Sequence, residues 1–140
     1  MIRSALLLAG LLLANGPAPH GTIAVAVSDV RTAKGRVHVD ICTQATFLKD
    51  CPYWGEAPAR AGTTVVLVPN VPPGRYAAQG FHDRNANGKV DRALFGIPKE
   101  GVGFSNDAKI HMAPPRFEDA VFEHSAADQR ITFRLRYFLG

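Results

Sequence analysis

The sequence predicts an all-β protein, an antiparallel β-sandwich of six or seven short strands with long ordered loops. Three observations carry this prediction. Apolar residues recur at every second position in several short runs, the period of a strand with one face in a core. Proline and glycine punctuate the intervals between those runs. Beyond the N-terminal segment, no stretch of ten or more residues carries an amphipathic helical period.

Between Thr22 and Ser28, Ile23, Val25 and Val27 alternate with the small residues Ala24 and Ala26, which gives a first strand. Lys34 and Gly35 turn the chain. Val37, Val39 and Ile41 then alternate with Arg36, His38 and Asp40, a second strand with one face in water and His38 on that face. From Thr43 to Gly62 the pattern breaks at Pro52, Gly55 and Pro58. That stretch is expected to be a loop or short helix whose aromatics Phe47, Tyr53 and Trp54 cap one end of the core. Gly62 to Val68 is apolar enough for a strand covered on both faces. Val71, Pro72, Pro73 and Gly74 set up a turn into the strand Arg75 to Phe81, where Gly80 suggests a bulge or a close backbone approach. Residues 92–115 have no sustained period and form a long excursion, the kind of loop that is usually functional or disordered, and Phe95, Ile97 and Phe104 anchor it. Phe117 to Glu123 and Arg130 to Phe138 supply the last strands.

The N-terminus speaks to location. A short positive start at Arg3, an apolar run from Ala5 to Leu13 and small residues after it predict a secretory signal peptide over residues 1–18. Pro17 and Pro19 leave the cleaved bond open, and residues 19–140 are expected to form one domain. The apolar run falls well short of the roughly 20 residues that span a bilayer, so no membrane span is expected after its removal. The chain carries 16 basic residues, or 15 once Arg3 leaves with the signal, against 12 acidic ones. Such a weak bias, with only Arg130, Arg134 and Arg136 gathered together, argues against nucleic acid as a partner. Cys42 and Cys51 are the only cysteines, and in a periplasmic or secreted protein they are expected to form a disulfide. Closing that loop is worth roughly 2.5 to 3 kcal/mol in the chain-entropy view.

The segment richest in chemistry is HDRNANGKVD, His82 to Asp91. Asp83, Asn85 and Asn87 place side-chain oxygens at alternate positions and Gly88 follows at the sixth, as in the opening of an EF-hand calcium loop. Lys89 would add its backbone carbonyl and Asp91 a ligand at the ninth position. The twelfth position is Leu94 and not the usual bidentate glutamate, so a closing carboxylate has to come from Glu100, Asp107 or Asp119, with Glu100 and Asp107 preferred. Calcium is therefore the expected cofactor. A polar turn held by its own side chains is the competing expectation, because Asn, Asp and Gly also suit ordinary turns.

No catalytic residues are expected. His82 with its neighbouring carboxylates, Ser105 and His111 could be imagined as a hydrolytic set, but no nucleophile elbow, zinc helix or Cys-His pattern accompanies them. The expected function is a binding module for an unknown protein or glycan ligand, with a metal-free structural accessory as the alternative and a hydrolase behind both.

VPPGRYA, HDRNANGKVD, FGIPKEGVGFSN and PPRFEDAVF follow one another in fixed order. With these four blocks the chain resembles the uncharacterised bacterial exported proteins grouped as domain-of-unknown-function family 2141, over Gly21 to Tyr137. The resemblance implies a small exported β-sandwich. The turn from Pro72 through Gly74 into Tyr76 is also similar to prealbumin-like sandwich domains, and an immunoglobulin-like arrangement is the alternative.

Overall fold

The computed structural model describes residues 20–89 and 100–138. Among them are eight strands: β1 (Gly21–Val30), β2 (Arg36–Cys42), β3 (Tyr53–Pro58), β4 (Gly62–Val71), β5 (Gly74–Asp83), β6 (Val102–Phe104), β7 (Val121–His124) and β8 (Gln129–Arg134). A 3-10 turn covers Ser105–Asp107, and one turn of helix, α1, covers Phe117–Ala120. The strands form a β-sandwich of two sheets. One has the order β4-β1-β8, the other β3-β2-β5-β6, with β7 also on β5.

Two of these strands were hidden in irregular sequence. Tyr53–Pro58 lacks apolar alternation because Gly55 and Glu56 interrupt it, yet it pairs in antiparallel register with β2 from Ile41↔Tyr53 to Arg36↔Pro58. Val102–Phe104 is too short to show a period, but it pairs with β5. The expected strand from Phe117 begins as helix. There Asp119 closes a capping box by accepting the Arg116 N–H, and the chain becomes extended at Val121. The pairing is not uniformly antiparallel, since β8 lies parallel to β1 from Ile23↔Gln129 to Ser28↔Arg134.

The main core lies between the sheets, where alternation directs Ile23, Val25 and Val27 from β1 against Val37, Val39 and Ile41 from β2. Val66 and Val68 of β4 and Phe133 of β8 complete its centre. Gly80 faces this core, and a Cβ there would stand 2.8 Å from the Phe133 ring, so the close approach expected at this glycine is a ring packed on the backbone. Outward-facing residues of β4 leave Val65 and Leu67 exposed, so the strand is not covered on both faces.

A second, smaller core sits on the outer face of the second sheet. Cys42 and Ala77, partners across β2 and β5, are covered there by Phe47, Phe104, Ala108, Phe117 and Ala120. The Cys42–Cys51 disulfide ties the loop that carries Phe47 to β2, with the two Cα atoms 4.9 Å apart. Of the three aromatics expected to cap the core, Phe47 enters this second cluster and Tyr53 packs on the first. Trp54 does neither, because strand alternation turns it to the outer face, where it is 56% exposed.

One edge of β5 is shared by two short strands. β7 pairs with Gly74 to Ala77 and β6 with Gln79 to Phe81, which leaves Ala78 at the junction. The Ser105 hydroxyl fills that gap, accepting the Ala78 N–H at 2.9 Å and donating to the Ala120 carbonyl at 2.5 Å.

Candidate functional site

β5 ends at Asp83 and delivers the polar loop to one end of the sandwich. Asp83 is 1% exposed, whereas every residue from Arg84 to Lys89 is exposed. The chain folds back at once, with the Ala86 N–H donating to the Asp83 carbonyl at 3.2 Å. The Asp83 carboxylate then organises the loop from inside. Its Oδ1 accepts the Asn87 N–H at 3.0 Å and its Oδ2 accepts the Gly88 N–H at 2.7 Å. Asn85 Oδ1 also accepts from Asn87 N–H, at 3.3 Å, and Asn87 Oδ1 accepts the Lys89 N–H at 3.0 Å. Gly88 has φ +80°, the left-handed conformation that glycine adopts without a Cβ penalty, which is why a glycine belongs at this sixth position. Alternate oxygens and the turn after them are thus held by hydrogen bonds from side chain to backbone two to five residues ahead, the local chemistry Asp and Asn favour.

Glu100 meets the same loop from across the chain. It is 4% exposed, and its Oε2 accepts the Arg84 N–H at 2.9 Å. Asp107 does not. Antiparallel pairing of Phe81 with Val102 and of Gln79 with Phe104 carries the chain away from the loop. Asp107 therefore ends beside β8, where its carboxylate accepts the Arg134 N–H at 2.9 Å. Asp119 is taken up by the capping box of α1. Asp91 and Leu94 lie outside the described residues. Among those described, no three His, Cys, Asp or Glu side chains form a group that could hold a metal ion.

His82 faces the opposite way from Asp83 and is fully buried. Its Nε2–H donates to the Lys34 carbonyl at 2.7 Å, and its Nδ1 is buried without a hydrogen-bond partner. Gly35, with φ +72°, lets the β1–β2 turn close directly onto the Asp83 carbonyl, where any side chain would collide. Nearby, the Arg31 guanidinium lies 3.9 Å above the Tyr137 ring, and the Tyr137 hydroxyl accepts the Arg31 N–H at 3.1 Å. Burial raises the Tyr137 pKa above its ordinary value, against the opposing pull of Arg31. The other members of the imagined hydrolytic set are dispersed. Ser105 is committed to Ala78 and Ala120, and His111 is exposed beyond the 3-10 turn.

A second polar cluster went unnoticed in the sequence. On the outer face of the second sheet, both nitrogens of His38 meet carboxylates: Nδ1 lies 3.1 Å from Glu56 Oε2 and Nε2 lies 2.8 Å from Asp40 Oδ1. Only the doubly protonated ring can donate to both. Burial lowers the His38 pKa, but the hydrogen bonds and charges of Asp40 and Glu56 outweigh it and leave the value raised. Arg36 Nε stands 3.5 Å from Glu56 Oε1, and Gln79 Nε2 donates to Asp40 Oδ2 at 3.1 Å. Trp54 stacks beside the His38 ring, with centroids 5.6 Å apart and planes 16° apart, and Phe81 lies on its other side at 5.2 Å. The alternation of β2 already put His38 and Asp40 on one face. Glu56 and Trp54 could not be added without knowing that residues 53–58 form a strand.

No helix among the described residues is long and apolar enough to cross a membrane. No curated protein and no solved structure matches the chain. A family model described as an uncharacterised protein conserved in bacteria, DUF2141, matches residues 25–132, and the chain belongs to that family.

Proposed function

We propose that the protein is an exported binding module whose fold is stabilised by calcium in the Asp83 loop. The observation that carries this reading is the Asp83 carboxylate, buried at a strand end and encircled by a loop that bears oxygens at alternate positions. Each of its oxygens accepts one backbone N–H, so lone pairs remain for a cation. The donors available are all hard oxygens, which suits calcium better than zinc. Asn85, Asn87, the Lys89 carbonyl and Asp91 would join Asp83, and Glu100, already against the loop, is the carboxylate that could replace the missing glutamate. Export is supported by the apolar N-terminal run and by the Cys42–Cys51 disulfide, since such bonds persist in oxidising compartments.

Binding is favoured over hydrolysis because His82 is sealed in the interior, with Nε2 committed to a backbone carbonyl. A metal-free turn is the second reading, favoured by the two N–H groups that already serve Asp83. Calorimetric titration separates the two. Calcium should bind wild-type protein with a Kd on the order of 10⁻⁴ to 10⁻³ M, the range of extracellular modules, and should not bind Asp83→Ala. Wild-type protein without calcium-binding heat at millimolar ion would leave the metal-free turn.

A further inference from the structure

We propose that the outer face of the second sheet around Trp54 binds a neutral glycan, with one sugar ring stacked on the indole. The inference rests on the reading of the protein as a binding module, but on different residues from the calcium loop. Trp54, His38 and Phe81 lie side by side across β3, β2 and β5 and make an aromatic strip on one sheet face. At the Ala77 end this face is covered by the second core, and past the aromatic strip it runs to the Asp83 loop. Trp54 is the exposed end of the strip, at 56%, and its stacked neighbour His38 is fixed at both nitrogens. The indole therefore has a defined orientation before any ligand arrives, which lowers the entropy cost of binding.

The polar groups around it specify the partner. Gln79 is fully engaged, donating to Asp40 Oδ2 and to the Lys49 carbonyl while accepting the Leu48 N–H. Asp40 and Glu56 each use their two oxygens once, so both keep acceptor capacity. The face thus asks for hydrogen-bond donors. Those donors need not be cationic, because His38 and Arg36 already balance the two carboxylates and leave the cluster without net charge. Neutral donors beside a flat apolar patch describe the hydroxyls and C–H face of a sugar.

A peptide fits less well. At Gly55 the inner face of β3 is closed by β4, since a Cβ there would run into the Leu67 carbonyl oxygen, so a peptide would have only the outer face to lie on. Apart from Trp54, the one large exposed apolar side chain among the described residues that is tied to this face is Leu48, less than the apolar centre of a protein interface requires.

Trp54 is the only tryptophan, so its fluorescence reports on this face alone. The disulfide-intact protein would be titrated with neutral cello-, malto-, manno- and chito-oligosaccharides to millimolar concentration, with and without calcium, and oligolysine would serve as the cationic comparison. At least one glycan should shift or quench the emission saturably. By calorimetry Trp54→Ala should weaken that binding by about tenfold or more, with its melting temperature unchanged, and Trp54→Phe should retain most of it. Emission indifferent to every glycan, or responsive only to oligolysine, overturns the proposal. Glycan binding that survives chelation upholds it whatever becomes of the calcium loop, whereas calcium binding without glycan response upholds only the loop.

Discussion

Removing one oxygen atom at Ser105 should destabilise the protein far more than the loss of a surface hydroxyl would. Ser105 is 3% exposed, and Ala78 and Ala120, whose N–H and carbonyl it serves, are both fully buried. In Ser105→Ala neither backbone group gains another partner, because Ala78 sits at the break between the ladders of β6 and β7. A buried polar group left unpaired costs about 1–3 kcal/mol, so two of them cost roughly 2–6 kcal/mol. Urea unfolding followed by circular dichroism would measure it. With an m-value of about 2 kcal/mol/M, the midpoint should fall by roughly 1–3 M at unchanged m. Ser125→Ala, which removes an exposed hydroxyl that accepts only the Ala127 N–H, is the control and should stay within about 0.5 kcal/mol of wild type. A Ser105→Ala protein as stable as that control would show that β5 does not depend on the bridging hydroxyl.

Two further outcomes are expected of stability. His38 has its pKa raised in the folded protein above the ordinary value of 6.5, so its contribution is complete below about pH 6.5 and lost as pH rises through the raised value. The stability gap between wild type and His38→Gln should therefore be widest below about pH 6.5 and narrow as pH rises through the raised value, and a gap that does not change with rising pH would contradict the paired imidazolium. Replacing both cysteines, Cys42→Ala with Cys51→Ala, should lower stability by about 2.5–3 kcal/mol in urea, and non-reducing mass spectrometry of the exported wild type should find no free thiol. An equally stable double variant would mean that the Phe47 loop holds its place without the bond.

How much of this was legible in the sequence depended on the length of each periodic run. Ile23 to Val27 and Val37 to Ile41 each fill three inward positions with β-branched residues, so their strands and core face could be read directly. Val102–Phe104 has too few residues for any period, and in Tyr53–Pro58 the inward position Gly55 has no side chain, because β4 passes directly over it. Missing that strand hid the Glu56 partner of His38 and sent Trp54 to the core instead of the surface. The Asp83 loop was legible because its bonds are local, Asp83 and Asn85 to residues no more than five ahead. The choice between Glu100 and Asp107 was not, since it depends on the direction in which β6 leaves β5. Local spacing contains no information about that direction.

A thermal melt shows whether an ion in the Asp83 loop stabilises the fold. A ligand that binds only the folded state adds about 2.7 kcal/mol at 100 times its Kd, which for a domain of this size raises the melting temperature by roughly 10 °C. At saturating calcium the wild type should melt higher by about that amount than in chelator. Asp83→Ala and Asp91→Ala should lose most of the gain. A wild-type melting curve that is the same in calcium and in chelator would contradict this and leave the loop as a turn held by the side-chain hydrogen bonds of Asp83, Asn85 and Asn87.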